Sequence, residues 1–169
     1  LMEASSTGNA LISNLLQDIN DTRTIQKEID DLVSSTKESL QGRAWSTIRK
    51  KMDEYSEICQ DKQNYASKLI DSMINAYNKL LEYMQYDELD TSKIPETRDN
   101  LKNLKDNLEQ LQTTYAETPD TITEYSIGKD GTVTSYTRPN PLKDLLAELI
   151  KSCEIVIAET EKYLKQLEG

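Results

Sequence analysis

The side chains that could do chemistry in this chain are carboxylates, tyrosines and two thiols. Histidine is absent from all 169 residues. Its absence excludes a Ser-His or Cys-His nucleophilic pair, a His-ligated zinc and a carboxylate-His di-iron site. Asp30-Asp31, Asp53-Glu54 and Asp87-Glu88 are adjacent carboxylate pairs. Neighbours in a helix point away from each other, so such pairs read as solvated helix surface rather than as acid and base. Gly128-Lys129-Asp130-Gly131 is too short for a phosphate-cradling loop, and it lacks the repeated acids and terminal Glu of a calcium loop. The nine tyrosines stand in for the missing Phe, filling interfaces while keeping a polar tip. Cys59 and Cys153 fall on apolar positions of helical patterns and are expected to be buried free thiols. No catalytic, cofactor-binding or metal-ligating set emerges, and the chain is expected to be non-catalytic.

Composition narrows the partners. The net charge of −10 lacks the basic face of a nucleic-acid binder and disfavours attraction to an anionic membrane. Residues 1–85 carry net −3 and residues 86–169 carry net −7. Apolar runs are too short for a transmembrane helix. The first residues, Leu1-Met2-Glu3-Ala4, show no basic region followed by an apolar stretch, so no cleaved signal peptide is expected.

The elements that carry these residues follow from the breakers and the periodicity. Residues 9–41 and 43–94 contain neither Gly nor Pro. In the first stretch Ile12, Leu15, Leu16, Ile19, Ile25, Ile29, Leu32 and Val33 recur at steps of 3 and 4, with Thr22 and Thr36 filling gaps, which predicts a helix over 8–40. In the second, Trp45, Ile48, Met52, Tyr55, Cys59, Ala66, Leu69, Met73, Ala76, Leu80 and Tyr83 form an a/d stripe broken only at Lys62. This predicts a helix over 44–87 lying lengthwise on a long partner. Gly42 between them is a helix stop, and the short connection forces an antiparallel hairpin with Trp45 near its tip. Trp45 is read either as core or as an exposed anchor for a partner.

After a capping linker ending in Pro95, Leu101, Leu104, Leu108, Leu111 and Tyr115 predict a third helix over 95–116. Residues 121–137 alternate β-branched or aromatic with polar residues around a Gly-rich turn and predict a β-hairpin, which must pack on the helices or pair with another chain. Asn140-Pro141 starts a helix over 141–167 whose stripe is Leu142, Leu145, Leu146, Leu149, Cys153, Val156, Thr160, Tyr163 and Leu167. The expected fold is mainly α: one elongated domain over 1–169, a long helical hairpin extended to a four-helix bundle with a small β-hairpin insertion.

Leu40-Gln41-Gly42-Arg43-Ala44-Trp45, between two long helices, resembles the turn of the WXG/LXG superfamily of type VII secretion proteins. Leu40-Gln41-Gly42 matches Leu-x-Gly, although the Trp follows the Gly here. The Tyr-x-x-x-Asp/Glu export signal of that superfamily is similar to Tyr83–Asp87 and to Tyr86–Asp90, both at the end of the second helix. The resemblance covers residues 8–90; residues 95–169 exceed a simple Trp-x-Gly hairpin and fit an LXG-like domain or its partner.

It implies a toxin-associated, non-catalytic protein exported as a folded hairpin. Such a protein is cytoplasmic before export and secreted without a cleaved signal. Its partners would be the secretion machinery and a small helical protein or a second copy, with no small-molecule substrate and no cofactor. Two other readings stand beside it: a cytosolic coiled-coil adaptor or chaperone-like bundle, and a pore-forming toxin. The toxin would need an apolar hairpin tip, whereas Gly128–Gly131 is polar.

Overall fold

The computed structural model describes the backbone of residues 2–35, 43–86, 89–129 and 132–169; side chains are described from Ile12 onward, except at 43–44, at most of 62–86 and at Ile127. The elements are α1 (Met2–Ser35), α2 (Arg43–Tyr86), a 3-10 turn (Thr91–Lys93), α3 (Ile94–Glu117), β1 (Thr121–Ile127), β2 (Val133–Pro139) and α4 (Pro141–Glu168). The fold is mainly α with one antiparallel β-hairpin, as the periodicity predicts. Helix α1 starts six residues before the expected boundary; residues 36–40 lie outside the described residues. No helix among the described residues is long and apolar enough to cross a membrane.

The closely packed helix pairs are α1/α2, α1/α3, α2/α4 and α3/α4. Ion pairs record the register. Lys51 meets Glu28 across α1 and α2 at 2.5 Å, while Arg98–Glu168 at 2.8 Å and Lys105–Glu161 at 3.1 Å align α3 antiparallel to α4. Each is solvent-screened and weak, so these pairs mark alignment rather than hold it.

Burial does the holding. The main core joins Ile12, Leu15, Leu16 and Ile19 of α1, Tyr55 and Cys59 of α2, Leu111 of α3 and Ile122 of β1 to Leu142, Leu145, Leu146, Leu149, Cys153 and Ile157 of α4. Every residue of the α4 stripe read from the sequence is buried. The threonines in the stripes satisfy themselves: Thr22 donates to the Ile19 carbonyl at 2.6 Å and Thr160 to that of Val156 at 2.7 Å. A helical hydroxyl can thereby occupy an apolar seam.

Helix α3 departs from its predicted face. Thr97, Asn100, Asn107, Leu111 and Thr114 are the buried residues, whereas Leu101, Leu104 and Leu108 flank the core half-buried and Tyr115 is exposed. The inward seam is thus largely polar and turned from the expected leucine stripe. Asn100 is 2% exposed, and neither its amide nitrogen nor its oxygen has a hydrogen-bond partner.

Loop chemistry closes the ends. Asp90 accepts from the Ser92 amide at 3.0 Å and caps the 3-10 turn. Thr118 donates its hydroxyl to the Thr114 carbonyl at 2.6 Å as α3 ends. Asn140, 3% exposed, accepts from the Leu142 amide to cap α4, donates its side-chain amide to the Pro119 carbonyl, and donates its backbone amide to Asp120. One side chain therefore ties the base of the β-hairpin to the start of α4.

In urea unfolding, Leu149→Ala is expected to lose about 2–5 kcal/mol through the cavity it leaves. Asn100→Leu is expected to gain about 1–3 kcal/mol by removing an unpaired buried amide. A destabilised Asn100→Leu variant would contradict the unpaired assignment.

Candidate functional site

The α1/α2 hairpin is longer than the α3/α4 pair, and the site forms where it outruns them. Arg23 reaches Glu117 at 3.3 Å, placing the end of α3 beside residue 23 of α1. Beyond that level a second apolar cluster forms from Ile29, Ile48, Leu32, Val33, Trp45 and Met52, covered by Tyr125 and Val133 of the β-hairpin. No residue of α3 or α4 belongs to it. A lone two-stranded ribbon is marginal in water, so this contact is what the ribbon needs, and it shields what the helical hairpin leaves bare.

The ribbon docks through polar contacts as well. Gln26 donates to the Thr123 carbonyl at 3.2 Å and to Asp30 at 3.0 Å, and Tyr125 donates to Asp30 at 2.7 Å. Burial, then the bond to Asp30, pushes the Tyr125 hydroxyl up to about 12. Glu124 accepts from the Tyr136 hydroxyl and from Arg138; those bonds hold its carboxyl below the usual carboxylate range, the Tyr136 bond contributing most. Asp30 and Glu124 therefore work as structural acceptors in the docked ribbon.

Beneath the ribbon, Tyr55 and Cys59 lie in the main core. Burial pushes the Tyr55 hydroxyl far up, with the adjacent Cys59 adding to it. Burial also raises the Cys59 thiol, and it pushes Cys153 up to about 11. Both cysteines are free and buried, as expected from their positions. A thiol this far above neutrality stays protonated and unreactive. A groove of about 230 Å³ opens beside Tyr55, with Arg23, Lys27, Asp30 and Thr121 along its walls. Among the described residues no three Cys, Asp or Glu side chains converge as metal ligands would.

The residues singled out in the sequence do not gather in one place. Trp45 is half-buried in the tip cluster, with the Arg49 guanidinium 5.6 Å over its ring and its indole nitrogen shielded without a hydrogen-bond partner. It is an integral part of that cluster. Leu40 and Gly42 lie outside the described residues, as does Asp87. Tyr83 and Tyr86 fall in the last turn of α2, their side chains not described, and Asp90 is the exposed cap of the 3-10 turn. At about 1.5 Å per residue, Trp45 and Tyr83 are roughly 57 Å apart along α2. Trp45 and the two tyrosines are therefore at opposite ends of α2. Sequence reasoning missed Gln26, Asp30 and Tyr125, which are ordinary surface types until the ribbon meets α1; only the alternation of residues 121–137 hinted at a contact.

The chain matches no protein-family model, no curated protein and no solved structure.

Two outcomes test this site. Tyr125→Phe is expected to cost about 1 kcal/mol. Because the folded-state hydroxyl titrates near 12 rather than near 10, its contribution is fully present below pH 10 and fades as pH rises through 12. The variant should show a shallower alkaline loss of stability, and an unchanged profile contradicts the bond. Neither Cys59 nor Cys153 should react with an aromatic disulfide reagent in the native protein at neutral pH, and both should react once it is unfolded in guanidinium. Fast native labelling contradicts their burial.

Proposed function

We propose that the chain is a non-catalytic helical protein of a type VII secretion pathway, an LXG-like targeting domain or its partner, acting through helix-to-helix contacts. The observation that supports this reading is the long antiparallel α1/α2 hairpin that extends past the rest of the bundle. In the sequence Leu40–Gly42 directly precede α2, whose first turn carries Trp45, and Tyr83 and Tyr86 stand at the far end of α2. In this reading the protruding hairpin presents the turn to a small helical partner. The tyrosine end is what the secretion machinery recognises, and the protein leaves the cell folded, without a cleaved signal.

A cytosolic adaptor is the second reading. It is favoured by the way α1, the start of α2 and α4 use their stripes on each other, which accounts for the periodicity without export.

The test is a Tyr83→Ala/Tyr86→Ala double variant, with Asp90 retained because it caps the turn. Blots of culture supernatant and lysate from a secretion-competent strain should show the wild type outside the cell and the variant retained. Equal secretion of the two contradicts the export role of the tyrosines. Confinement of the wild type to the cytosol contradicts the secretion reading and favours the adaptor.

A further inference from the structure

The β-hairpin has one covered edge and one open edge. Its register pairs Thr121 with Pro139 and Ile127 with Val133. Asn140 donates to the Asp120 carbonyl at 2.9 Å and Gly128 to that of Thr132 at 2.7 Å. In an antiparallel ladder hydrogen-bonded pairs alternate, so the even-numbered residues bond across the ribbon and the odd-numbered ones turn their amides outward. On β1 the outward side meets α1, where Gln26 donates to the Thr123 carbonyl. On β2 the outward groups belong to Val133, Ser135 and Thr137, and residues 134–137 are all exposed, Tyr136 at 56%. Pro139 fits the same phase, because its missing N–H falls on the outward side.

Pro139 blunts one end of this edge, but the stretch Val133–Thr137 before it has little protection. Val133-Thr134-Ser135-Tyr136-Thr137 contains strong β-formers, no charge and no Pro. Edge strands of soluble domains are usually blunted by Lys, by inward charges or by bulges. The segment also matches itself. Laid antiparallel on a second copy about Ser135, it sets Val133 against Thr137 of that copy, Ser135 against Ser135, and Thr134 against Tyr136. All three outward-facing residues then fall in hydrogen-bonded pairs, giving about six hydrogen bonds. The side-chain pairs are β-branched with β-branched and aromatic with β-branched, which are favourable across strands. In a chain of net charge −10 this neutral strip lets two copies meet without opposing like charges.

We infer that β2 is a self-association edge, and that two copies of this chain join through it into a four-stranded antiparallel sheet about a two-fold axis at Ser135. The inference does not depend on the secretion reading. An interface of this size belongs to the weak, transient class.

Sedimentation equilibrium of the full chain from micromolar to about 1 mM tests it, with Ser135→Lys and Ser135→Glu variants. Residue 135 is exposed and its amide is outward, so both variants should keep the wild-type circular dichroism and melting. The wild type should show a concentration-dependent monomer–dimer equilibrium. Each variant alone places like charges across the axis and should dimerise at least about tenfold more weakly. Their equimolar mixture should regain a dimer. A wild type that stays monomeric throughout, variants that dimerise like the wild type, or a mixture that does not recover would each overturn the proposal.

Discussion

The fold depends on the burial of one stripe, apolar except at Thr160, the face of α4 from Leu142 to Leu167. Among the described residues α4 contributes more of the main core than any other element. Deleting a single leucine from such a seam costs a large part of the stability of an ordinary domain. The placement of the other helices follows. α2 and α3 pack against α4, and α1 closes the arrangement by packing on both of them. α4 has 28 residues and α3 has 24, whereas α1 has 34 and α2 has 44. The first two helices must therefore outrun the last two, and the overhang carries apolar residues that no helix covers. The β-hairpin, inserted between α3 and α4, folds back over this overhang.

What the sequence made legible follows the strength of each periodic signal. The stripe of α4 is broad and contains no competing face, so each of its residues is found where the spacing puts it. Helix α3 carries leucines at steps of 3 and 4 (101, 104, 108, 111) and polar residues at steps of 3 and 7 (97, 100, 107, 114), so both sets recur on a helical face. Spacing cannot decide which turns inward; contact with α1 and α4 decides it, and the polar repeat is the more buried. The node at Asn140 was legible as a helix cap but not as the clasp of the ribbon, because its bonds to Pro119 and Asp120 span about twenty residues. Tyr125 and Asp30 are 95 residues apart, and no local pattern joins them. The turn motif at Leu40 and Gly42 falls outside the described residues, and Asp90, which ends the Tyr86–Asp90 match, also caps the 3-10 turn.

The same geometry bears on what the molecule offers a partner. The acidic and phenolic groups that the fold gathers at the ribbon bond one another, and the thiols are sealed in the core. What remains outward among the described residues is the open edge of β2.

On this packing the ribbon and the overhanging hairpin should form one cooperative unit standing on a more stable four-helix core. Native-state hydrogen exchange followed residue by residue reads this directly. Exchange should be slowest in residues 145–163 of α4. Ladder amides of residues 122–138 and helical amides of 45–52 should open together, with one shared, lower free energy. Ribbon amides exchanging at unfolded-chain rates while residues 45–52 stay protected to the level of α4 would contradict a cooperative unit.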